Sequence, residues 1–556
     1  MKKLSSVMSK ACLLILAMSM LLLTACGGST VSVAYMKDNQ LYYGKSQITT
    51  QFLDEFYTQS GKLPNAFELD NLVLTSEDGK IIYYPEKYMT GNTFTLYCKS
   101  GNSGAVTVCE SVLSYKISAD GKTAVYKDKD DNLYKFSNNK STLIRADVAS
   151  YKISKDGNRI LFVTVDHKLY MQDKSRGLTL LGSEVLNGSS VEYITYCDEN
   201  YDTVYFTTNV PSTEVDTTDE SGLRLFVCTD GKDVKQVGKN LTNATHYFPE
   251  TGEFYYLVSE SYRKYYYIDY VTNDLGAEGE QSLENLKYSG YSLSIYSLWR
   301  CDGEKSEQIA TNVGAAGTGV YNGKECLVYR QYETLPVEKL ALSKATSTKI
   351  IDEHIESLYH NFVNLSVTSK GQTSVLSQTD KDFYALTNDT LYFREGSNGS
   401  SGGKLYLSKI KDGKAGEPQQ IDNVYYARML GDTIVYIKDY VGANDSYGGN
   451  LYFGDKKVAD NVMMIRSFLD AEKNEKMYAL SGYNTKTRYS DLSLIEGDRL
   501  TKISADVSYD NIFNYRGGLV YIKSSDIETL TGTLCYYNDG KSSEISKNVY
   551  AAFKCE

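Results

Sequence analysis

Side chains do chemistry only when reactive types stand at workable spacings, and this sequence offers few such sets. Only 4 of its 556 residues are His, which leaves His-based acid–base catalysis and His-rich metal sites poorly supplied. Gly399-Ser400-Ser401-Gly402-Gly403 has the spacing of a nucleophile elbow. That motif works as a strained strand-to-helix turn, and here a strand-like run follows at 404–410, so a Gly/Ser linker is expected instead. Asp198, Asn200 and Asp202 alternate oxygen groups as a calcium loop does, and so nearly do Asp128, Asp130 and Asn132. Both sets lack the sixth-position Gly and distal Glu of an EF-hand loop, so solvated turns are expected. His354 and His360 have no ligand spacing, and no metal or cofactor is expected. With 70 Asp+Glu against 59 Lys+Arg, a carboxylate pair in a central channel would suit polysaccharide hydrolysis or lysis. The sequence singles out no such pair.

The amino terminus carries a different chemistry. Lys2, Lys3 and Lys10 precede or enter a 13-residue apolar run from Ala11 to Leu23, too short for a comfortable span and right for a secretory signal. Leu23-Thr24-Ala25-Cys26-Gly27-Gly28 follows. This string resembles the lipobox of bacterial lipoproteins. The resemblance implies that residues 1–25 are cleaved and that the Cys26 sulfur takes a diacylglycerol. Acyl chains at about 0.8 kcal/mol per buried CH₂ hold a protein on a bilayer. Residues 26–30 then form a lipid-anchored flexible tether. The expected location is the bacterial cell membrane, lipid-anchored, on its extracytoplasmic face.

Export also changes what the cysteines can do. Besides Cys12 and Cys26 there are eight, and an even count outside the cytosol permits disulfides. Cys98 and Cys109 flank Gly101-Asn102-Ser103-Gly104 almost symmetrically, so a hairpin would set them opposite each other and a disulfide is expected there first. Free buried thiols are the alternative.

A tyrosine-rich stretch is the main binding candidate. Tyr262, Arg263, Lys264, Tyr265 and Tyr267, with Trp299 nearby, give rigid amphipathic groups suited to protein or glycan contact. A long hairpin packed on its neighbour is the competing reading, since the chain holds 50 Tyr in all.

The elements that must position these groups repeat. Asp-Gly turns recur at Ser76-Glu77-Asp78-Gly79, Ser118-Ala119-Asp120-Gly121 and Ser154-Lys155-Asp156-Gly157, each followed by a β-branched or aromatic run. A polar-Leu-aromatic string recurs at Gln40-Leu41-Tyr42, Asn132-Leu133-Tyr134, Lys168-Leu169-Tyr170, Lys404-Leu405-Tyr406 and Asn450-Leu451-Tyr452. A terminal Val, mostly after an acidic or amide residue, recurs at Val112, Val148, Val185, Val313, Val424, Val462, Val507 and Val549. Early Val spacings are 36 and 37 residues, and late ones 38, 45 and 42. Four antiparallel strands per unit of about 40 residues are the signature of a propeller blade. The strings resemble TolB-like and WD-type propeller repeats, with Glu77, Ala119 and Lys155 where Pro is common in that family.

An all-β fold is therefore expected, a β-propeller over 31–556 in one large ring or two. Insertions are expected near 52–70, 211–221, 259–296 and 396–403. Residues 550–555 look like the first strand of a blade and Val33–Met36 begins a blade lacking one, so the two ends are expected to pair and close the array. Hydrophobic residues at 42% exclude wholesale disorder, and a net charge of −11 without a basic block argues against nucleic acid. The expected function is a non-catalytic binding or scaffold module for an envelope protein or cell-wall glycan. A secreted polysaccharide hydrolase or lyase using channel carboxylates is the alternative.

Overall fold

A computed structural model describes residues 31–60, 72–101, 103–185, 190, 191, 195–209, 223–267, 291–332, 339, 340, 362–370, 372–378, 381–395, 402–443, 446–526, 529 and 531–555. The chain is all-β, 70% strand and 2% helix. Among the described residues every strand pairing is antiparallel except Tyr266–Tyr267 beside Lys339–Leu340.

The Ser-x-Asp-Gly turns hold themselves together. The Ser76 hydroxyl donates to Asp78 Oδ1 (2.7 Å) and accepts from the Ile81 N–H (3.0 Å), while Asp78 Oδ1 accepts from the Lys80 N–H (3.1 Å). Ser118 with Asp120 and Ser154 with Asp156 repeat the pattern. Gly121 and Gly157 sit at φ +67° and +71°, a left-handed conformation open to glycine. A Cβ on Gly121 would also lie 2.9 Å from Ser76 Cβ, and one on Gly157 2.8 Å from Ser118 Cβ. Each turn thus nests on the Ser of the turn before it. Backbone hydrogen bonds run through the series, from Glu77 N–H to Ala119 O (2.7 Å), Ala119 N–H to Lys155 O (2.9 Å) and Lys155 N–H to Glu199 O (2.8 Å).

The Leu-aromatic strings build the inside of each sheet. Leu41, Leu133, Leu169 and Leu451 are fully buried. The aromatic after each stacks on a ring directly across the ladder: Tyr42 on Tyr35, Tyr134 on Tyr126, Tyr170 on Phe162 and Tyr452 on Tyr436, with centroids 5.1–5.4 Å apart. Such pairs stabilise a ladder by roughly 0.5–1.5 kcal/mol beyond their buried area. Tyr406 departs from the pattern, donating its hydroxyl to Glu395 (2.5 Å).

The recurrent Val residues are pivots. Val424 pairs with Gly403 on one side and Lys438 on the other, and Val462 with Gly449 and Ser481. Val507 pairs with Ser490 and Lys523, and Val313 with Tyr296 and Gln331. A register shift follows each, and all of these valines are buried. The residue before the pivot has positive φ: Asn312 +54°, Asn423 +58°, Asn461 +55°, Asp506 +54° and Asn548 +57°. Asn and Asp accept this conformation more readily than other residues with a Cβ. The chain thereby turns from the last strand of one four-stranded unit into the first strand of the next. Consecutive units share these strands, which gives larger sheets of 7, 11 and 14 strands.

Apolar faces of neighbouring units meet in clusters that follow chain order, such as Leu161 with Val204, Tyr205 with Phe254, and Tyr478 with Tyr521. The two ends of the described chain meet in one sheet. Ala551–Phe553 pairs with Ala34–Lys37, with Ala34 opposite Phe553 and Met36 opposite Ala551. One face of this sheet packs on Val520, Ile522 and Leu534, the other on Val73, Tyr83 and Phe94. Arg516 adds donations to Thr75 Oγ1 (3.0 Å) and Ser76 O (3.1 Å).

Within the insertion expected near 52–70, Phe52–Ser60 is a helix. Glu86 caps it from outside, its carboxylate accepting from the N–H groups of Thr50, Gln51 and Phe52 (2.9–3.0 Å).

Candidate functional site

Two hairpins of successive units run on past their sheets. Thr433–Ala443 pairs with Ser446–Phe453, and Glu475–Asn484 with Tyr489–Glu496. In the first the register slips between Lys438 and Val441, with Asp439 at φ +54°, and such a bulge bends a ladder. Gly448 lets the bent hairpin lie against the strand Lys456–Leu469, and Gly449 lets its two strands close on each other at the bend. A Cβ on Gly448 would come 2.6 Å from the Asn461 carbonyl carbon, and one on Gly449 2.6 Å from Lys438 O.

The bend sets Tyr447 beside Tyr483 of the next hairpin as a strand neighbour. Their rings meet edge to face, centroids 5.8 Å apart and planes at 84°. Tyr483 meets Tyr509 in the same manner, 5.8 Å and 79°. On the other side Tyr425 and Tyr440 stack at 4.0 Å. A Cβ on Gly442 would lie 3.5 Å from Tyr440 and 3.7 Å from Tyr447, so those two rings flank a glycine. The result is a row of tyrosines across three successive units.

A cavity of about 320 Å³ opens within the row, lined by Tyr447, Asn461, Gly482, Tyr483, Asn484, Thr485 and Lys486. That volume lies at the small end of ordinary ligand sites. Asn484 Oδ1 accepts from the N–H groups of Lys486 (2.9 Å) and Thr487 (3.1 Å), which fixes the loop forming one wall. Burial and the neighbouring phenols of Tyr425 and Tyr447 raise the Tyr440 pKa, so that phenol is a neutral donor and acceptor at physiological pH. Aromatic faces, amides and an ammonium group suit binding.

Two of the most buried carboxylates, Asp173 and Glu253, are engaged by arginines. Burial pushes the Asp173 carboxyl up, but the Ser175 hydroxyl and Arg159 overcome it and hold it well below the usual range. Arg159 Nε donates to Asp173 (2.9 Å), and its guanidinium also meets Asp202 and Asp230. Glu253, in a second cavity of about 490 Å³, accepts from Arg300 at 2.9 and 2.5 Å. Among the described residues every carboxyl whose pKa is shifted is shifted down. A general acid needs the opposite shift.

Cys26, with residues 1–30, lies outside the described residues, as do 211–221, 396–401, His354 and His360. Tyr262, Arg263, Lys264, Tyr265 and Tyr267 continue the strand Glu253–Tyr267, paired with Tyr291–Cys301 from Phe254↔Cys301 to Tyr265↔Tyr291. Their side chains lie outside the described residues. The backbone on both sides of 268–290 is therefore an extended ladder that outruns its sheet. Trp299 stands apart from that tip, opposite Tyr256 and stacked on it at 6.3 Å and 14°. It takes the place that Tyr42, Tyr134, Tyr170 and Tyr452 take in other units, and Tyr262 is six residues beyond Tyr256 along the strand, about 20 Å at ~3.4 Å per residue.

The expected Cys98–Cys109 disulfide is not formed; both are thiols. A register shift between Leu96 and Tyr97 puts Cys98 opposite Val106 and Cys109 opposite Leu96, so the symmetry of the intervening sequence does not carry into the ladder. At the two oxygen-rich strings, Asp198 and Asp128 spend their carboxylates on their own turns. Asp198 accepts from the N–H groups of Asn200, Asp202 and Thr203 (2.7–3.1 Å), and Asp128 from those of Asp130 and Asn132 (2.9 and 3.0 Å).

The tyrosine row itself was missed from sequence. Its signal was length: the Val462 to Val507 spacing of 45 residues exceeds the early 36 and 37, and the surplus is the hairpin tip carrying Tyr483 to Arg488.

No family model matches the chain, and no curated protein matches it. Among solved structures, it is similar to the β-propeller domain of the Trilobed protease from Pyrococcus furiosus, at 12% identity over 63% of this chain and 96% of that one, TM-score 0.25. Pyrococcus horikoshii acylaminoacyl peptidase matches at 11% identity over 73% and 56%, TM-score 0.24. Oligogalacturonate lyase from Vibrio parahaemolyticus matches at 14% identity over 62% and 89%, TM-score 0.24.

Proposed function

We propose that this chain is a lipid-anchored, extracytoplasmic β-propeller that binds a component of the bacterial envelope without transforming it. The observation that carries this reading is the tyrosine row, where hairpins of successive units outrun their sheets and enclose a cavity of aromatic and amide groups. The propeller part rests on the four-stranded units, their pivot valines and the sheet shared by the two ends. The anchor part rests on the string around Cys26. A rigid array presenting loops on one rim suits recognition, and a lipid keeps it beside its ligand.

The test uses the full chain and its Cys26→Ser variant in a bacterial host. The full chain is expected in the membrane fraction and the variant in the soluble exported fraction. The soluble variant is then incubated with isolated envelopes. Retention without release of new reducing ends or unsaturated sugars supports a binding module, and release of either overturns it in favour of a hydrolase or lyase.

A further inference from the structure

We propose that the cavity lined by Tyr447 and Tyr483 binds pyranose units of a polysaccharide chain, with the tyrosine row as the track along which that chain lies. This rests on the binding reading above and names its ligand class.

A pyranose ring presents two chemistries at once, a patch of C–H groups on its face and hydroxyls around its rim. The site matches both. Tyr447 is 38% exposed, unusual for so large a ring in this chain, and a Tyr face is an apolar platform whose quadrupole attracts polarised C–H groups. Around it stand Asn461, Asn484 and Lys486, which offer both amide donors and acceptors and three ammonium donors to rim hydroxyls. Tyr483 meets Tyr447 edge to face, so the two rings together form one aromatic wall of the cavity.

The extent of the row argues for a polymer. Tyr425 and Tyr440 on one side and Tyr509 on the other continue the aromatic surface beyond a single ring's reach. A bound peptide is less well served. Peptides gain affinity by adding a strand to an open sheet edge, but the two strands that face each other here, Ser446–Phe453 and Glu475–Asn484, are each paired within their own hairpins and meet through Tyr447 and Tyr483.

Affinity electrophoresis of the soluble Cys26→Ser protein tests the assignment, using gels holding a neutral β-glucan, a mannan, a polygalacturonate or solubilised peptidoglycan. At least one polymer is expected to retard the protein. Tyr447→Ala and Tyr483→Ala should weaken that retardation at least tenfold, while Tyr447→Phe, which keeps the ring, stays within about threefold. Emission from Trp299, which lies in another unit, reports that each variant is folded. The proposal is overturned if no polymer retards the protein, or if Tyr447→Ala is retarded as strongly as the parent. Envelope retention separates the two readings. If envelopes hold the parent but not Tyr447→Ala while no polymer does, the ligand class is wrong and the binding site stands. If neither assay responds to Tyr447→Ala, the site is wrong as well.

Discussion

At Asn548 the backbone takes φ +57° just before the buried pivot Val549, and the Asn548 side chain itself is exposed. The residue is there for its backbone. A left-handed conformation costs an ordinary L-residue roughly 1–2 kcal/mol, more for a β-branched one, and little for Asn or Gly. Asn548→Val should therefore lower stability by about 1–2 kcal/mol, whereas Asn548→Gly should change it by under about 0.5 kcal/mol. Chemical denaturation of the soluble protein checks both; equal effects of the two would remove the conformational explanation. The pattern of an amide or acid before Val was legible in the sequence, but its cause was not. Only the pairing of Val313, Val424, Val462 and Val507 with a strand on each side shows that a corner is needed at such a residue. Cys98 and Cys109 illustrate the opposite case, where a plausible local symmetry was undone by a register shift at Leu96 that no neighbouring residue announces.

Trp299 belongs to the element scale. In the sequence it stood beside a tyrosine-rich stretch and read as part of a contact surface. In the structure Ser297-Leu298-Trp299 is one more Leu-aromatic string, with Leu298 fully buried and Trp299 stacked across the ladder on Tyr256. Its indole Nε1–H donates to Ser297 Oγ (2.9 Å). Read this way, Trp299→Tyr keeps a stacked pair and should cost under about 1.5 kcal/mol, while Trp299→Ala loses both pair and packing and should cost roughly 3 kcal/mol. Neither should alter envelope retention. Thermal unfolding and the retention assay check this together, and loss of retention in the folded Tyr variant would return Trp299 to the binding surface. The abundance of tyrosine that diluted the functional signal has the same origin. Much of it fills these cross-strand pairs, as Tyr35–Tyr42, Tyr84–Tyr97 and Tyr126–Tyr134 do, so composition alone cannot separate a paired Tyr from an exposed one. Hairpin length can, because residues beyond the repeat have no neighbouring strand to cover them.

At the scale of the whole molecule the first and last strands are the consequential pair. The expectation that the two ends share a sheet came from an incomplete unit at each end, and it depended on edge chemistry rather than on any motif. Ala551, Ala552, Phe553 and Cys555 are all buried, and both Thr75 donors, N–H and Oγ1, end on Cys555 O at 3.0 and 3.2 Å. Removing 550–556 exposes the ladder edge of Ala34–Lys37, uncovers the Phe553 site and orphans those donors. Burial of one Phe contributes about 1.5–3 kcal/mol and a pair of orphaned donors costs about 2–6 kcal/mol, so a loss of roughly 4–9 kcal/mol is expected. The bared edge should also recruit a second copy. The truncated chain is thus expected to unfold at a markedly lower temperature and to self-associate with rising concentration in light scattering. A synthetic peptide of residues 550–556 should reverse both effects by refilling the edge. Arg516→Ala, which removes the link to Thr75 and Ser76 but leaves every strand in place, should lower stability without causing association. A truncated chain that stays monomeric with its unfolding midpoint unmoved would mean that the shared sheet contributes nothing to holding the units together.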